Sequence, residues 1–269
     1  MTGMKLEGIP RIQSCALAIS ICVAFGLGSI AAHGQAGASA NDGPVYVAVA
    51  SNFKDVQDEL AKRFTAATGQ KVETSPGSTG KLYAQITNGA PFHVFLSADA
   101  AHPERLENEG AGVEGTRFTY AVGRLAMVSA GKVDVSIGLD SLKDPRVTHI
   151  ALANPETAPY GSAAVQVLKG AGLWELVEDK IVYGENIAQT HQFIESGAAE
   201  IGFVAYSQVL DMETGKVWLV SPGRYSSIRQ DAILLKSGAS HPGAKAYLEF
   251  MRSDEARGVI AASGYTVQP

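Results

Sequence analysis

Four loops, each where a predicted strand gives way to a predicted helix, contain residues suited to holding an anion. Hydroxyls, carboxamides and the unpaired backbone N–H groups of a helix N-terminus all donate hydrogen bonds, and the helix dipole adds partial positive charge there. Such donors suit an anion, although Ser, Thr and Asn are also ordinary helix caps, and one such loop alone indicates little. The four loops are Ser51-Asn52, Ser78-Thr79-Gly80, Tyr160-Gly161 and Asn186-Ile187.

The segment GSTGK at residues 77–81 matches the end of a P-loop but lacks two of its required residues. A P-loop needs glycine five positions before Gly80, where Ser75 stands, and Ser or Thr after Lys81, where Leu82 stands. What remains is a hydroxyl loop between two glycines at a helix start. It is suited to hold an anion without phosphoryl transfer.

Signals for an enzyme are weak. The chain has no G-x-S-x-G nucleophile elbow, and Ser78 and Lys81 match S-x-x-K without the companion S-D-N and K-T-G motifs. Its six histidines show no paired metal spacing. Asp99 follows a predicted strand and is expected to be a turn or cap residue. A secreted serine hydrolase using Ser51 or Ser78 stays as an alternative, with Lys81 as the only base close in sequence.

The elements that must position these loops alternate between strand and helix, which predicts an α/β fold with parallel sheets. Two longer extended segments, 118–129 and 225–236, look like connections between two lobes. Residues 244–262 are predicted to form two helices that return to the first lobe. The predicted strands are 45–50, 71–75, 93–97, 150–153, 180–183 and 201–205, and the helices follow them near 53–68, 82–86, 101–109, 164–168 and 187–196.

Composition excludes several classes of protein. The 269 residues are 46% hydrophobic and 18% charged, which is typical of a globular chain rather than a disordered one. The net charge of −5 and the absence of a Lys/Arg cluster argue against a nucleic-acid partner. No apolar span of 18 residues follows residue 40, so the body of the chain is not predicted to cross a membrane.

Residues 1–40 have the pattern of a secretory signal peptide. Lys5 and Arg11 precede an apolar run over 15–32, and small-residue cleavage sites end at Ala36 and Ala40. A membrane anchor is the alternative, but glycines interrupt the run and no basic stop-transfer segment follows it. Both cysteines lie in this segment, so the exported chain is predicted to contain neither a disulfide nor a thiol nucleophile.

Five segments of the remaining chain resemble the periplasmic molybdate-binding proteins of ABC transporters. The resemblance implies a type II periplasmic-binding-protein fold, with two α/β lobes joined by two crossover segments. It places the first lobe at 41–120 plus 227–269 and the second at 121–226. The segments are AVASNF (48–53), GSTGKLYAQITNGAPFHVFLSAD (77–99), ANPETAPYG (153–161), SGAAEIGFVA (196–205) and SGYTVQ (263–268).

The same resemblance implies a set of ligand residues. One hydroxyl falls on Ser51, with Asn52 beside it, and a second falls on Thr79, with Ser78 adjacent. The backbone donors fall on Tyr160 and Ile187.

Some members of the family also use a tyrosine hydroxyl, at a position that is Ala205 here. Tyr206 follows one residue later and is therefore expected on the other face of the strand. That ligand is not carried over. The sequence leaves open whether another group such as Asn52 takes its place or the site tolerates one hydrogen bond fewer.

The resemblance predicts a binding protein for molybdate and tungstate that delivers the oxyanion to a membrane permease. It implies a periplasmic, monomeric protein that is not an enzyme, has no cofactor and does not coordinate the molybdenum atom directly. Molybdate is a dianion that needs only donors, whereas phosphate keeps a proton near neutral pH and requires an acceptor. We therefore expect Glu156 and Glu185, near two of the loops, to point to solvent. A receptor for sulfate or another oxyanion is the alternative within this class, separated from molybdate by pocket size alone.

Overall fold

The structure, a computed structural model, describes residues 43–131, 133–213 and 216–267. The predicted signal peptide therefore lies outside the described residues. Within them, no helix combines the length and the apolar character that crossing a membrane requires.

The first of two five-stranded sheets has the strand order β2-β1-β3-β10-β4. Strands β1, β2 and β3 are parallel, whereas β10 runs antiparallel to both β3 and β4. Together with the helices packed on it, this sheet forms what we call the first lobe. Its strands are β1 (Val45–Ala50), β2 (Val72–Gly77), β3 (Val94–Leu96), β4 (Phe118–Gly123) and β10 (Ile228–Leu234).

The second sheet repeats this arrangement in the order β7-β6-β8-β5-β9. Strands β6, β7 and β8 are parallel, and β5 is antiparallel to both β8 and β9. This sheet and its helices form the second lobe. Its strands are β5 (Leu125–Ser129), β6 (Ile150–Ala153), β7 (Ile181–Gly184), β8 (Ile201–Ala205) and β9 (Val217–Leu219).

Eight α-helices are found among the described residues. In α1, Val56, Leu60 and Phe64 recur at helical spacing and are buried, and the helix ends at Gly69 with a φ of 76°. The first lobe carries α1 (Lys54–Thr68), α2 (Thr79–Thr87), α3 (Ala101–Asn108), α7 (Pro242–Phe250) and α8 (Asp254–Ala262). The second lobe carries α4 (Pro159–Gly170), α5 (Trp174–Val177) and α6 (Ile187–Glu195).

The prediction of two α/β lobes is confirmed, and so is the return of the last two helices to the first lobe. Ala244, Tyr247 and Ile260 of α7 and α8 lie in one apolar cluster with the side chains of β1. The prediction of parallel sheets holds for four strands of each sheet, because β4 runs in the same direction as β1, β2 and β3, and β9 in the same direction as β6, β7 and β8. The reversed strands are β10 in the first sheet and β5 in the second, the two with which the chain enters a lobe from the other one.

The extended segment 118–129 is two strands rather than one. The chain leaves the first sheet at Gly123, passes Arg124, and enters the second sheet at Leu125. The segment 225–236 contributes β10 to the first sheet after β9 of the second. The chain thus crosses between the lobes twice, at the two places where the sequence has long extended segments.

Candidate functional site

All four predicted loops lie between the carboxyl end of a parallel strand and the start of a helix. After β1 the Ser51–Phe53 turn forms a 3₁₀ helix that continues into α1, and Ser78 separates β2 from α2. In the second lobe, loops join β6 to α4 and β7 to α6. Neighbouring parallel strands end at one edge of their sheet, so each lobe presents two helix starts side by side.

The two lobes meet at these helix starts. The N–H of Gly80 in α2 donates a hydrogen bond of 2.9 Å to the carbonyl of Thr157 in the loop before α4. A Cβ on residue 80 would lie 3.1 Å from the Cα of Thr157, so glycine permits this approach. Beside this contact, Lys81 Nζ lies 3.1 Å from Glu185 Oε2 at the start of α6.

The remaining loop joins the same contact. Cα atoms of the Ser51–Phe53 turn lie within 8 Å of α6. Ala50 and Ala98, at the ends of β1 and β3, belong to one buried cluster with Tyr160 and Ile187 of the second lobe. The structure therefore brings all six predicted ligand residues to one interlobe contact.

The first lobe presents hydroxyl groups to this contact. The Oγ atom of Ser78 is buried and has no hydrogen-bond partner among the described residues, although Ser78 is the N-cap residue of α2. The Oγ1 atom of Thr79 accepts a bond of 3.0 Å from the N–H of Ala98 and keeps its own hydrogen to donate. Ser51 is 8% exposed. Of these hydroxyls, that of Ser78 is the one whose hydrogen-bonding capacity is demonstrably unmet.

The second lobe presents backbone N–H groups instead. The side chain of Asn186 caps α6 by accepting bonds from the N–H groups of Ala188 and Gln189. The N–H of Ile187, the first residue of α6, takes no part in this cap. Helix α4 begins at Pro159, which has no N–H, so Tyr160 supplies the first N–H of that helix.

Gly161 is required for the position of this second helix start. A Cβ on residue 161 would lie 2.1 Å from the backbone oxygen of Ala153, the last residue of β6. Only glycine allows the first turn of α4 to approach the strand end this closely.

Asn52 faces a buried polar network within the first lobe. Its Nδ2 atom donates to Gln230 Oε1 and to the Tyr265 hydroxyl, each at 3.0 Å, so both amide hydrogens are used. The backbone carbonyl of Asn52 accepts a bond from the Tyr265 hydroxyl at 2.7 Å. Both hydrogens of the Asn52 side chain are therefore already used within this network, and its backbone N–H is the donor that remains for a ligand.

Sequence reasoning did not single out Gln230 or Tyr265. Tyr265 stands in the SGYTVQ segment that carries part of the resemblance, which was a usable signal. Gln230 stands alone in a strand, and nothing in the local sequence marks it. Both belong to the network only because distant segments meet there.

Tyr160 also takes part in this network from the second lobe. Its hydroxyl accepts a bond of 3.1 Å from Gln230 Nε2 and occupies the space beside Gly123, where a Cβ would lie 2.1 Å from it. Burial raises the pKa of Tyr160 and of Tyr120 well above the usual tyrosine value, and it raises the pKa of Tyr265 to about 12. These phenols are therefore neutral hydrogen-bonding groups at neutral pH.

The side chain of Tyr206 packs in a different environment from the predicted site. The guanidinium of Arg124 lies over its ring, 4.6 Å from the ring centroid, at the first crossover. Ala205 at the end of β8 is fully buried. Ala205 has no hydroxyl and the Tyr206 ring packs against Arg124, and that the family's tyrosine ligand is not carried over stays a prediction.

The acidic residues near the loops lie as predicted. Asp99 caps α3, because its Oδ1 accepts from the N–H of His102 at 3.0 Å. Glu156 and Glu185 are exposed. The described part of the chain contains no group of three or more His, Cys, Asp or Glu side chains that could hold a metal ion.

The geometry does not favour a serine nucleophile at Ser78. An activated serine needs a base within hydrogen-bonding distance, and the Ser78 hydroxyl has no such partner in the described ranges. Lys81, the nearby base considered from the sequence, is paired with Glu185. What the site offers is a set of neutral donors and helix N-termini that face each other across the lobes, which suits an anion.

Comparison with known proteins gives one consistent result. The family model for bacterial extracellular solute-binding proteins matches residues 45–266. The molybdate-binding protein ModA of Azotobacter vinelandii is 47% identical over 253 residues, covering 92% of this chain and 97% of the relative. That of Rhodobacter capsulatus is 45% identical and covers 84% of this chain and 89% of the relative.

A solved structure agrees with these relatives. The periplasmic molybdate-binding protein of Azotobacter vinelandii superposes with a TM-score of 0.79 at 38% identity, over 84% of this chain and all of that one. The sulfate-binding protein SubI of Mycobacterium tuberculosis has a TM-score of 0.69 at 14% identity and shares the fold. The chain therefore belongs to the bacterial extracellular solute-binding proteins, in the group of the ModA molybdate-binding proteins.

Proposed function

We propose that this protein is the solute-binding component of a molybdate ABC transporter and captures molybdate between its two lobes. The observation that carries the proposal is the Ser78 hydroxyl, buried and without a partner where helix starts of both lobes meet. A buried hydroxyl without a partner is costly, so it favours a ligand that accepts its hydrogen. The names of the two relatives above supply the identity of that ligand.

The proposed ligand set contains donors only. Ser51, Ser78 and Thr79 donate from hydroxyl groups, with the backbone N–H of Asn52 beside them. Tyr160 and Ile187 donate from backbone N–H groups. Molybdenum is held through its oxygens, with no protein atom bound to the metal.

Because this ligand set contains no hydrogen-bond acceptor, the proposed site selects molybdate over phosphate. A fully deprotonated dianion such as molybdate can accept from every donor, while protonated phosphate leaves one hydrogen without an acceptor. The carboxylates nearest the loops, Glu156 and Glu185, are exposed. Tungstate, with nearly the same size and charge, is proposed to bind as well.

The proposed cycle is closure of the two lobes on the oxyanion. We assign residues 41–123 and 227–269 to the first lobe and 124–226 to the second, with hinges at the two crossovers; the boundary expected at residue 120 moves to 123 because β4 stays in the first sheet up to Gly123. Ligand contacts from both lobes favour the closed state, because neither lobe alone has enough donors for four oxygens. The closed form is the state that a membrane permease would recognise. We propose that the exported protein acts in the periplasm as a monomer. The protein acts without catalysis and without a cofactor.

A parallel titration tests this function. The melting temperature is measured with sodium molybdate, tungstate, sulfate and phosphate under identical conditions. At a hundredfold excess over Kd a ligand stabilises the folded protein by about 2.7 kcal/mol. We expect this gain with molybdate and tungstate and none with phosphate; equal shifts with phosphate, or a shift with sulfate alone, would overturn the assignment.

A further inference from the structure

Gln230 lies at an irregularity in the first sheet. The register of β10 against β4 shifts at this point: Gln230 pairs with Ala121 and Asp231 with Thr119, so Tyr120 is the extra residue of a bulge. Bulges commonly redirect side chains near functional sites. Gln230 is fully buried, and its carboxamide lies at the contact between the two lobes.

The carboxamide of Gln230 joins residues from both lobes. Its Oε1 atom accepts from Asn52 Nδ2 at 3.0 Å and from the Tyr120 hydroxyl at 3.1 Å. Its Nε2 atom donates to the Tyr160 hydroxyl of the second lobe at 3.1 Å. Gln230 thus connects Asn52, beside the first helix start of the first lobe, with Tyr160 at the start of α4.

We propose that Gln230 is a positioning residue that couples closure of the lobes to capture of the anion; this rests on the function proposed above. Gln230 touches no predicted ligand atom. It holds the Ser51–Asn52 turn in the orientation that directs its donors to the contact, and it fixes Tyr160 so that the first N–H of α4 faces the same place. Opening the lobes separates Gln230 from Tyr160 and exchanges this bond for bonds to water, so the net gain from the bond favours the closed form.

Glutamine is the residue type that this position requires. Its side chain is both donor and acceptor, so one group satisfies Asn52, Tyr120 and Tyr160. A leucine of similar size would deprive the Tyr160 hydroxyl and one amide hydrogen of Asn52 of this partner, while the Tyr120 hydroxyl would keep its bond of 3.0 Å to the Ser97 carbonyl. A glutamate would place a negative charge near the bound dianion and repel it.

Two substitutions at this position and one matched control test the role. Gln230→Leu removes the hydrogen bonds, and Gln230→Glu keeps acceptors but adds charge. The control is Gln57→Leu, because Gln57 is also fully buried in the first lobe. Gln57 accepts from the Tyr247 hydroxyl at 2.6 Å within that lobe and so makes no link to the second lobe.

The first measurement is the rate at which the lobes close in the absence of any anion, followed by disulfide formation between them. A Cβ on residue 80 would lie 3.3 Å from the Cβ of Thr157 and 3.1 Å from its Cα, so the contact must widen by a few tenths of an ångström to reach the Cβ spacing of about 3.5–4.5 Å that a disulfide spans. The pair Gly80→Cys with Thr157→Cys, in a background with Cys15 and Cys22 replaced by serine, therefore forms a disulfide only when the lobes close, and the strain at this contact is the same in all the variants compared. We expect Gln230→Leu to slow this reaction by about tenfold and Gln57→Leu to leave it unchanged.

The second measurement is the affinity for molybdate, titrated on the variants with native residues at 80 and 157. Gln230→Leu is expected to raise the Kd by about tenfold to a hundredfold, and Gln57→Leu to leave it unchanged. Gln230→Glu should bind weakly where its carboxyl is ionised and recover as the pH falls through its pKa, which burial raises above the ordinary glutamate value of about 4.3. A purely structural role would produce no such recovery.

The two measurements separate the two proposals. If wild-type protein binds no molybdate but Gln230→Leu still slows disulfide formation, the molybdate assignment fails and the positioning role stands. If disulfide formation and molybdate affinity respond to Gln230→Leu as they do to Gln57→Leu, the positioning role is overturned.

Discussion

The two lobes have the same strand order but present different chemistry to the contact between them. In each lobe four strands run in one direction and one runs in the other, and two helices start at the same sheet edge. The first lobe presents the hydroxyls of Ser51, Ser78 and Thr79. The second presents the backbone N–H groups of Tyr160 and Ile187, together with the Thr157 hydroxyl, which is buried and has no partner among the described residues.

This difference separates what the fold supplies from what the residues supply. A parallel strand followed by a helix creates unpaired N–H groups wherever it occurs, so the fold supplies a donor site twice. Among the predicted ligand residues, only those of the first lobe donate from side chains. These donors can be removed by substitution at single hydroxyls, whereas the predicted donors of the second lobe, Tyr160 and Ile187, can be altered only through the position of the backbone.

The largest expected effect is a change of backbone position in the second lobe. Gly161→Ala places a methyl group 2.1 Å from the Ala153 oxygen and must displace the start of α4. We expect the free energy of unfolding to fall by about 3 kcal/mol, the upper range for overpacking, and molybdate binding to weaken with it. Chemical denaturation and titration measure both quantities.

The matched control is in the same helix. A Cβ on Gly170, the last residue of α4, meets no atom within 4 Å. Gly170→Ala should therefore leave molybdate affinity unchanged. Equal behaviour of the two variants would show that the backbone position at residue 161 does not define the second-lobe donors.

The next effect is the loss of one hydroxyl in the first lobe. Ser78→Ala is expected to weaken molybdate binding by about 1.5–3 kcal/mol, the range for a hydrogen bond to a charged group. The anion-free protein should keep its melting temperature, because the Ser78 hydroxyl has no partner to lose among the described residues.

Thr79→Ala provides the contrast for this prediction. Thr79 Oγ1 accepts from the Ala98 N–H at 3.0 Å, so this variant should lose about 1 kcal/mol of stability even without anion. If Ser78→Ala lowered anion-free stability as much as Thr79→Ala, Ser78 would be a structural residue rather than a ligand.

A smaller effect is expected on the stability of the protein in acid, and we attribute it to His93 in the first lobe. Burial, with a smaller contribution from nearby His241, lowers the pKa of His93 below its ordinary value of 6.5. The folded state then binds protons less readily than the unfolded state, so stability is full above about pH 6.5 and declines as the pH falls below it. The melting temperature of the anion-free protein, measured from pH 7.5 to 5, should fall less in His93→Gln than in wild type. An identical decline in both proteins would show that groups other than His93 cause the loss of stability in acid.

The smallest effect is expected from the exposed ion pair across the lobes. Lys81 and Glu185 are 50% and 68% exposed, so Lys81→Gln should weaken molybdate binding by less than about 1 kcal/mol, and less still at high salt. Lys54→Gln, which breaks the pair with Asp58 inside α1, is the control that should leave affinity unchanged. A large, salt-independent loss in Lys81→Gln would mean that Lys81 contacts the anion.

Much of the fold was determined by the sequence alone. Strands 150–153 and 201–205 match the structure residue for residue, because their apolar runs are short and end at clear turn or helix signals. The helix after β1 was predicted from the spacing of its apolar residues and from Gly69, which is local information. The four donor loops could likewise be found, because each consists of adjacent residues at a strand end.

Only the tertiary structure decided how those loops are arranged around one another. The hydrogen bond between Asn52 and Gln230 joins residues 178 positions apart, and no local pattern specifies such a pair. The roles of Ser78 and Thr79 were also decided in space, since only the position of Ala98 shows which hydroxyl already has a partner. Local sequence sets backbone conformation through short-range steric and hydrogen-bonding preferences, whereas the partners of a buried polar group depend on which distant segments the fold brings to it.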